Sequence, residues 1–405
     1  MENTIFGAAN ILLPEFDEPA DWSAYSVIAC DQFTSEPEYW EKAEKLSGAL
    51  STLDMILPEA YLGTNKEAAA KKRIAEKMPI ALQKLHCFKN SMVYVERVLP
   101  DGGVRRGIVG SIDLEKYDYT PSSASPVRAT EKTVVERIPP RVEIRRSAPI
   151  ELPHVMVFAD DRKGMLIQYL CEHRESLRRL YDFDLMLGGG HITGYLVDGE
   201  MLRALLCNIA DYEAEKSGSV VYAMGDGNHS LASAKAYWEQ LKADGAAPDH
   251  PSRRALVELV DLGDGAIEFE PIYRLITNCD TEKLISALFE CAEKHGSEKT
   301  AVALTADGER EVPLPDIHPL AIGCLQLFLD TCGLTFDCDY IHGEDTLRAL
   351  SRRPDTVGFL CDGIEKSELF NYVTHYGVLP RKTFSMGEAR SKRYYLEARK
   401  IFSER

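Results

Sequence analysis

A short apolar strand that ends in a glycine turn and runs directly into an amphipathic helix constrains this chain most. The run from 219 to 224, Ser-Val-Val-Tyr-Ala-Met, is β-branched and aromatic and predicts a buried strand. Gly225, Asp226 and Gly227 then predict a turn. Beyond the turn, apolar residues recur at helical spacing until Gly245, at Leu231, Ala234, Trp238 and Leu241. A strand that passes into a helix in this way is typical of α/β proteins.

The residues at this corner suit the binding of phosphate. Its glycines let the backbone approach a ligand, and the first N–H groups of the helix can hold an anion. Asp226, Asn228, His229 and Ser230 add an acid, an amide, an imidazole and a hydroxyl, and Asn228 is the predicted N-cap. The motif is neither a P-loop nor a dinucleotide fingerprint, because no Gly-Lys-Ser/Thr follows and Ser230 replaces the third glycine. The alternative is a tight turn in which the Asn only caps the helix and the Asp bonds its own backbone.

A second polar cluster lies between residues 127 and 141. It combines one carboxylate and two hydroxyls with several cations, and a double proline follows: Arg128, Thr130, Glu131, Lys132, Thr133, Arg137, Pro139, Pro140 and Arg141. The planar fork of arginine suits phosphate or carboxylate. The alternative is a helix that starts at Thr130, with its arginines in water.

Composition excludes several classes of protein. The 405 residues are 45% hydrophobic and 27% charged, which is typical of a globular chain of two or three domains. The formal net charge of −17 disfavours nucleic acid and anionic membranes as partners. Ten cysteines without a Cys-x-x-Cys pair predict reduced thiols rather than a zinc site. We see no apolar span of membrane length and no signal segment, so we expect a cytoplasmic protein.

The remaining periodicity predicts further helices and strands. We predict helices over 37–47, 66–85, 160–181 and 198–216, a hairpin of 91–98 with 104–112, and strands over 192–197, 254–262 and 267–276. Helical and strand patterns alternate again after 278, which predicts an α/β C-terminal region and a domain boundary between 277 and 278. The three glycines at 188–190 favour a hinge or lid.

Several of these segments resemble an uncharacterised bacterial and archaeal family, domain of unknown function 1015. The segments concerned are 28–35, 129–141, 188–190, 225–229 and 379–383. That family in turn resembles the ParB/sulfiredoxin fold, in which a similar corner binds nucleotide phosphates and one branch phosphorylates free serine. The resemblance implies a mixed α/β (α+β) protein, with a ParB/sulfiredoxin-like nucleotide-binding catalytic region over 1–277 and an α/β C-terminal region over 278–405.

By position, the resemblance also implies roles for single residues. The implied catalytic residues are Glu131, Asp226 and His229, with Asp226 also the implied metal ligand. The implied phosphate or nucleotide contacts are Gly225, Gly227, Asn228, Ser230, Arg128, Thr133, Arg137 and Arg141. Two positions depart from the pattern, because Thr130 replaces a histidine and Ser230 replaces an arginine. We therefore expect an arginine of the 128–141 segment to project into the pocket.

The leading hypothesis is a small-molecule kinase that transfers a phosphoryl group from ATP or ADP to a hydroxylated amino acid. Free L-serine is the leading acceptor, and Mg²⁺ is the expected cofactor. The partners would then be a nucleotide and a small amino acid, with self-association into a homo-oligomer left open. One alternative is a nucleotide-binding regulatory or scaffolding protein of the ParB type. A phosphohydrolase or nuclease that uses the same corner is the third.

Overall fold

A computed structural model describes residues 4–402 of the chain. The contacts divide these residues into two compact units. Unit 1 contains the residues up to Ile267 together with those from Glu388 onward, and unit 2 is Glu268–Gly387. Both units combine helices with β-sheet, so the predicted mixed α/β class is confirmed. The domain division at 277 stays a prediction.

Unit 1 is built on a large mixed sheet of 11 strands within the described residues. Its main path runs β10-β11-β4-β5-β13-β9-β12-β7-β6, with β1 paired to β5 and β2 paired to β4. These strands are β1 Phe6–Gly7, β2 Ala9–Pro14, β4 Leu85–Val98, β5 Val104–Asp113, β6 Tyr117–Asp118, β7 Val127–Arg128, β9 Met156–Ala159, β10 Arg178–Asp184, β11 His191–Val197, β12 Tyr222–Asp226 and β13 Arg254–Asp261. Two short pairs add β3 Val27–Ile28 with β20 Tyr394–Tyr395, and β8 Ile150–Glu151 with β21 Arg399–Lys400.

The helices of unit 1 contribute apolar side chains to two clusters of buried residues. These helices are α1 Pro19–Tyr25, α2 Pro37–Leu46, α3 Lys66–Leu82, α4 Ile138–Ser147, α5 Ile167–Glu172, α6 Gly199–Glu215 and α7 Asn228–Ala243. Trp40 of α2 and Trp238 of α7 are among the largest fully buried side chains. Because each helix buries one face, its stability depends on packing more than on intrinsic propensity.

Unit 2 is a smaller α/β body with its own apolar core. Its sheet runs β16-β15-β18-β14-β17, and β19 also pairs with β14. The strands are β14 Phe269–Thr277, β15 Lys299–Thr305, β16 Gly308–Leu314, β17 Asp337–His342, β18 Thr356–Leu360 and β19 Phe384–Met386, and the helices are α8 Thr281–His295, α9 Ala321–Thr331, α10 Glu344–Leu350 and α11 Leu369–Tyr376. The predicted alternation after 278 is confirmed, but β16 was missed because its first four residues are exposed and three of them are charged.

One predicted helix, over 160–181, is wrong. Only Ile167–Glu172 is α-helical there, and the chain joins the sheet as β10 from Arg178. Gly164 has a positive φ of 66°, and the Asp161 carboxylate accepts the N–H groups of Met165 and Leu166, so the helix starts late. The pairing of β10 with β11 then overrides the helical periodicity after 177.

The glycines at 188–190 allow close packing, so the prediction of a hinge or lid there is not supported. A Cβ atom on Gly189 would lie 2.3 Å from the Tyr394 hydroxyl oxygen, and one on Gly190 would lie 2.0 Å from the Val98 carbonyl oxygen. The Gly189 carbonyl also accepts a hydrogen bond from buried Arg97, at 2.9 Å. Other side chains thus fill the space that a hinge would need.

No helix between residues 4 and 402 combines the length and the apolar character that a membrane crossing requires.

Candidate functional site

The predicted corner is a strand-to-helix turn with Gly227 at its centre. β12 ends at Asp226, Gly227 has a φ of +79°, and α7 begins at Asn228. A Cβ atom on Gly227 would lie 3.0 Å from the Val155 Cα, so both the backbone angle and the space require glycine. The Asp226 Oδ1 atom accepts the Gly227 N–H at 2.9 Å. The corner therefore presents the first turn of a 16-residue helix at the end of a buried strand.

The predicted N-cap is shifted by one residue. Gly227 occupies the N-cap position, and Asn228 is already the first helical residue. From there Asn228 makes no cap hydrogen bond, since capping requires the non-helical backbone of the residue before the helix. Gly225, the other glycine of the turn, lies within β12, where a Cβ atom would be 2.9 Å from the Phe158 ring. Its role is close packing of the strand against β9.

The 127–134 segment runs beside this corner. β7 pairs in parallel with β12, with Val127 opposite Tyr222 and Arg128 opposite Ala223. The Thr130 hydroxyl donates to the Met224 carbonyl at 2.8 Å, which keeps the segment against β12 beyond the paired residues. If the register of Arg128 and Ala223 is continued by three residues, Glu131 comes level with Asp226. The pairing itself ends at Arg128 and Ala223, and the register of β12 against β9 shifts between Met224 and Asp226, so a position of Glu131 beside Asp226 stays a prediction.

His229 holds this segment to the first turn of α7. Its Nε2 atom accepts the Val134 N–H at 3.1 Å. A ring nitrogen that accepts a hydrogen bond carries no proton, so in this arrangement His229 is neutral with its proton on Nδ1. Any contact between the His229 ring and an anion would use Nδ1. The alternative of a helix that starts at Thr130 is wrong, because α4 begins only at Ile138 and takes Pro139 and Pro140 into its first turn.

Three buried polar oxygens of the corner and of the 127–134 segment have no hydrogen-bond partner in the described chain. Within residues 4–402, nothing bonds to Asp226 Oδ2, Asn228 Oδ1 or Thr133 Oγ1. The Thr133 residue is only 5% exposed. An unsatisfied buried polar group costs about 1–3 kcal/mol, and such groups are few in folded proteins. These three oxygens are therefore candidates for hydrogen bonds with a ligand.

A lysine from the C-terminal segment reaches the corner acid. The Lys392 Nζ atom lies 3.5 Å from Asp226 Oδ2, and the two side chains are 12% and 15% exposed. Lys392 also acts on Asp31, which follows the end of β3. Burial raises the pKa of the Asp31 carboxyl, but His154, Gln32 and Lys392 together hold it below its usual value. The ammonium group of Lys392 thus acts on carboxylates from two different strand ends.

Asp31 belongs to a small polar group with His154 and Tyr395. The His154 Nε2 atom lies 4.0 Å from Asp31 Oδ1, and its Nδ1 atom is 2.7 Å from the Tyr395 hydroxyl. The Cys30 N–H also points to that hydroxyl, at 3.4 Å. Burial raises the pKa of the Cys30 thiol to about 12. Cys30 is therefore a neutral thiol and not an activated nucleophile.

A cavity of about 330 Å³ adjoins the first turn of α7, and its lining is largely apolar but also includes Glu59, Glu67, Glu136 and Glu151. Ser230 and Ser233 of α7 line it, together with Arg137 and Arg141 of the neighbouring segment. Its apolar wall includes Met55, Ile56, Leu57, Leu62, Met78, Ile144, Ala148, Ile150 and Leu152. Volumes of about 300–1,000 Å³ with apolar walls and a few polar groups are typical of small-molecule sites.

The three arginines of the second cluster differ in their surroundings. Arg137 and Arg141 line the cavity, and Arg141 is held by an ion pair with Glu59 and by a 3.0 Å bond to the Arg137 carbonyl. Arg128 is 8% exposed, and its Nε atom donates to the Ser125 carbonyl at 2.7 Å. Burial lowers the Arg128 pKa from its usual value. Of the three, Arg137 and Arg141 are the ones brought to the same cavity as Ser230.

Asp226 offers one good ligand position for Mg²⁺. Its buried Oδ2 atom accepts no hydrogen bond from any residue that the structure describes. The same residues form no group of three or more His, Cys, Asp or Glu side chains arranged to hold a metal ion. Mg²⁺ commonly takes one or two protein carboxylates and completes its shell with phosphate oxygens and water. The donor set therefore fits a magnesium ion that arrives with a phosphate, and not a preformed metal cage.

Sequence reasoning found the corner but missed its lysine. Lys392 follows Asp226 by more than 160 residues and stands in no local motif. Only the path of the chain brings it there. His154 was also missed, since a single histidine between prolines and valines has no diagnostic pattern. The Cys30-Asp31 segment did give a signal, because polar residues follow an apolar run there.

Several solved structures are similar to this chain. A free serine kinase variant in complex with ADP is 13% identical, with a TM-score of 0.36 over 72% of this chain and 91% of that one. A conserved hypothetical protein from Pyrococcus furiosus is 14% identical, with a TM-score of 0.32 over 71% and 90%. A C-terminally truncated SbnI from Staphylococcus aureus is 10% identical, with a TM-score of 0.35 over 73% and 84%.

Among curated proteins the search finds no match. The model of the family described as "Protein of unknown function (DUF1015)" matches residues 16–332. That range covers β12, the corner, the start of α7 and the 127–141 segment, and it ends before Lys392. The chain belongs to the DUF1015 family.

Proposed function

We propose that this protein is a nucleotide-dependent kinase of a small hydroxylated molecule, with free L-serine as the leading acceptor. The observation that carries the proposal is the largely apolar cavity of about 330 Å³ beside the first turn of α7. A ligand with a flat apolar ring and a phosphate chain suits the cavity and the first turn of α7 together. The ring can enter the cavity while the phosphates bind the N–H groups of the helix. The ParB/sulfiredoxin-like assignment of the catalytic region is part of this proposal.

The polar groups at the corner support phosphoryl transfer rather than simple binding. Such transfer depends on positioning and on neutralising charge, and little covalent chemistry is left to the protein. Ser230 and the α7 backbone would bind phosphate, and Arg137 would offset the negative charge that develops. Asp226 would hold Mg²⁺, which supplies charge neutralisation on the phosphates when it is bound.

In the proposed reaction, Glu131 is the general base. The acceptor hydroxyl oxygen attacks the terminal phosphorus of ATP or ADP, and the bond from that phosphorus to the bridging oxygen breaks. The hydroxyl proton passes to the Glu131 carboxylate, and the nucleotide leaves with one phosphate fewer. A base must reach within about 3 Å of the hydroxyl that it deprotonates. The parallel pairing of β7 with β12, which would bring Glu131 level with Asp226 if it continued beyond Arg128, supports this role.

Asp31 is the alternative base. It lies near Lys392 and 4.0 Å from the His154 ring, and it stays ionised because its pKa is lowered. The test is therefore a comparison of Glu131→Gln with Asp31→Asn, using Glu143→Gln on the exposed face of α4 as the control. We expect Glu131→Gln to reduce turnover about 10²–10⁴-fold while nucleotide binding persists.

The assay has two stages. A thermal-shift screen of ATP, ADP and AMP with Mg²⁺ identifies the nucleotide, since a ligand at 100 times its Kd stabilises by about 2.7 kcal/mol. Phosphorylated product is then measured with L-serine and other hydroxylated amino acids. Nucleotide binding without turnover on any acceptor would favour the regulatory alternative. Phosphate release without an acceptor would indicate a hydrolase.

A further inference from the structure

The backbone around Lys392 is fixed by buried arginines. Arg97, which is 1% exposed, donates to the carbonyl groups of Arg390, Ser391 and Lys392 at 2.5–3.2 Å. Arg105 donates to the same Ser391 carbonyl at 2.7 Å. Burying a charged group is costly unless it is well hydrogen-bonded. The two buried guanidinium groups therefore hold the backbone of residues 390–392 firmly in place.

The residues that follow Lys392 are anchored just as firmly. Arg393 is buried between Glu258 and Glu397, with its nitrogens 2.7 Å and 2.5 Å from their oxygens. Its carbonyl accepts the Ala29 N–H at 2.9 Å, next to the pairing of β20 with β3. The position of the Lys392 backbone is therefore determined on both sides.

The side chain of Lys392, in contrast, makes no short hydrogen bond in the described chain, although its charge acts on Asp226 and Asp31. Its Nζ atom is 3.5 Å from Asp226 Oδ2, whereas a charge-assisted hydrogen bond between such groups measures about 2.7–2.9 Å. Asp226 Oδ2 correspondingly accepts no hydrogen bond from any part of the described chain. The backbone of Lys392 is thus firmly held, while its ammonium group pairs only loosely with the Asp226 carboxylate. This arrangement suits the binding of a second anion that carries more negative charge than Asp226.

We infer that Lys392 is the phosphate-binding cation of the corner, and that it pairs with the ligand's phosphate in place of Asp226. Ser230 offers a hydroxyl where the resemblance implies an arginine, so the corner itself lacks a cation at that position. The ammonium group of Lys392, which pairs only loosely with Asp226, supplies this cation from the C-terminal segment. The inference rests on the proposed function only in naming a nucleotide as the natural source of the phosphate.

The test uses inorganic pyrophosphate and ADP as separate probes, in EDTA so that no metal bridges the contact. Binding to the full chain is measured by calorimetry for wild type, Lys392→Met, Lys392→Arg and the control Lys400→Met on the same segment. We expect Lys392→Met to weaken both probes about 10- to 100-fold, because it removes one charge-assisted hydrogen bond. Lys392→Arg should restore part of the affinity, and Lys400→Met should match wild type.

A structural role for Lys392 is tested by the protection of the Ala29 amide from hydrogen exchange. If that protection is kept in Lys392→Met, the segment is still docked and a loss of affinity belongs to the side chain. Asp226→Asn provides a second variant that keeps the lysine. It removes the carboxylate that competes for the ammonium, so metal-free pyrophosphate should bind more tightly than to wild type.

The possible results separate the two proposals. Equal pyrophosphate affinity in wild type and Lys392→Met, or no pyrophosphate binding by wild type, would overturn the inference. Unchanged or weaker binding by Asp226→Asn would also count against it. Lys392-dependent binding of pyrophosphate without any binding of ADP would support the inference and contradict the nucleotide-dependent kinase. Binding of ADP that is independent of Lys392 would contradict the inference and support the nucleotide-dependent kinase.

Discussion

Gly227 is the residue at which the corner is most sensitive to a single methyl group. Its φ of +79° lies in the left-handed region, where an L-residue costs about 1–2 kcal/mol. A Cβ atom would also lie 3.0 Å from the Val155 Cα and 3.1 Å from its Cγ2, and forcing such a contact adds about 1 kcal/mol or more. We therefore expect Gly227→Ala to lower the free energy of unfolding by about 2–4 kcal/mol.

The opposite end of α7 provides a matched control. Gly245 has a φ of +88°, and a Cβ atom there would meet nothing within 4 Å. Gly245→Ala should therefore cost only the backbone term, about 1–2 kcal/mol. Denaturant unfolding followed by tryptophan fluorescence compares the two variants with wild type, since Trp238 is buried in α7 itself. An equal loss of stability in both variants would refute the argument that Val155 leaves no room at the corner.

Three further predictions follow from the surroundings of the site. The pKa of Asp31 is lowered, so its ionised form stabilises the fold at a pH above its usual pKa of about 3.9. This stabilisation is lost as the pH falls through the lower pKa of the folded protein. Asp31→Asn should therefore make the melting temperature less dependent on pH on the acid side. Cys30→Ser should keep full activity, and the native Cys30 thiol should react only slowly with iodoacetamide, because burial keeps it protonated. Rapid labelling of native Cys30 by iodoacetamide would contradict this. Arg97→Met should release the carbonyls of 390–392 and speed hydrogen exchange at the Ala29 amide, whereas unchanged exchange would mean that the segment docks without the arginine.

Much of the fold could be predicted because its signals are local. The 91–98 and 104–112 hairpin, the helix from 199 and the strand before Gly227 each carry their own periodicity and turn residues. The helix predicted over 160–181 failed because sheet pairing of β10 decides the structure after Arg178. A sequence window contains no information about a partner strand that lies elsewhere in the chain.

In the candidate site, too, the residues with a local sequence signal could be predicted and the others could not. Glycines and polar residues within a few positions marked the corner, and Glu131 could be connected to it only through the resemblance. The parallel pairing of β7 with β12 places residues 127–128 beside the strand that ends at the corner, which no local pattern could reveal. Lys392 was beyond reach for a simpler reason, because a lone lysine in a charged segment looks like any other surface residue.

The return of the chain to unit 1 has a consequence for its synthesis. Residues 388–401 supply β20, β21 and Lys392, yet they are translated only after all of unit 2. Because domains generally fold as the chain emerges, the ribosome produces an intermediate in which β3 and β8 have no partner strands, and Arg97 and Arg105 lack the carbonyl acceptors of residues 390–392. Such a nascent chain exposes the corner without its lysine. Phosphate binding at this site, if it uses Lys392, is therefore a property that the protein acquires only after unit 2 has been synthesised.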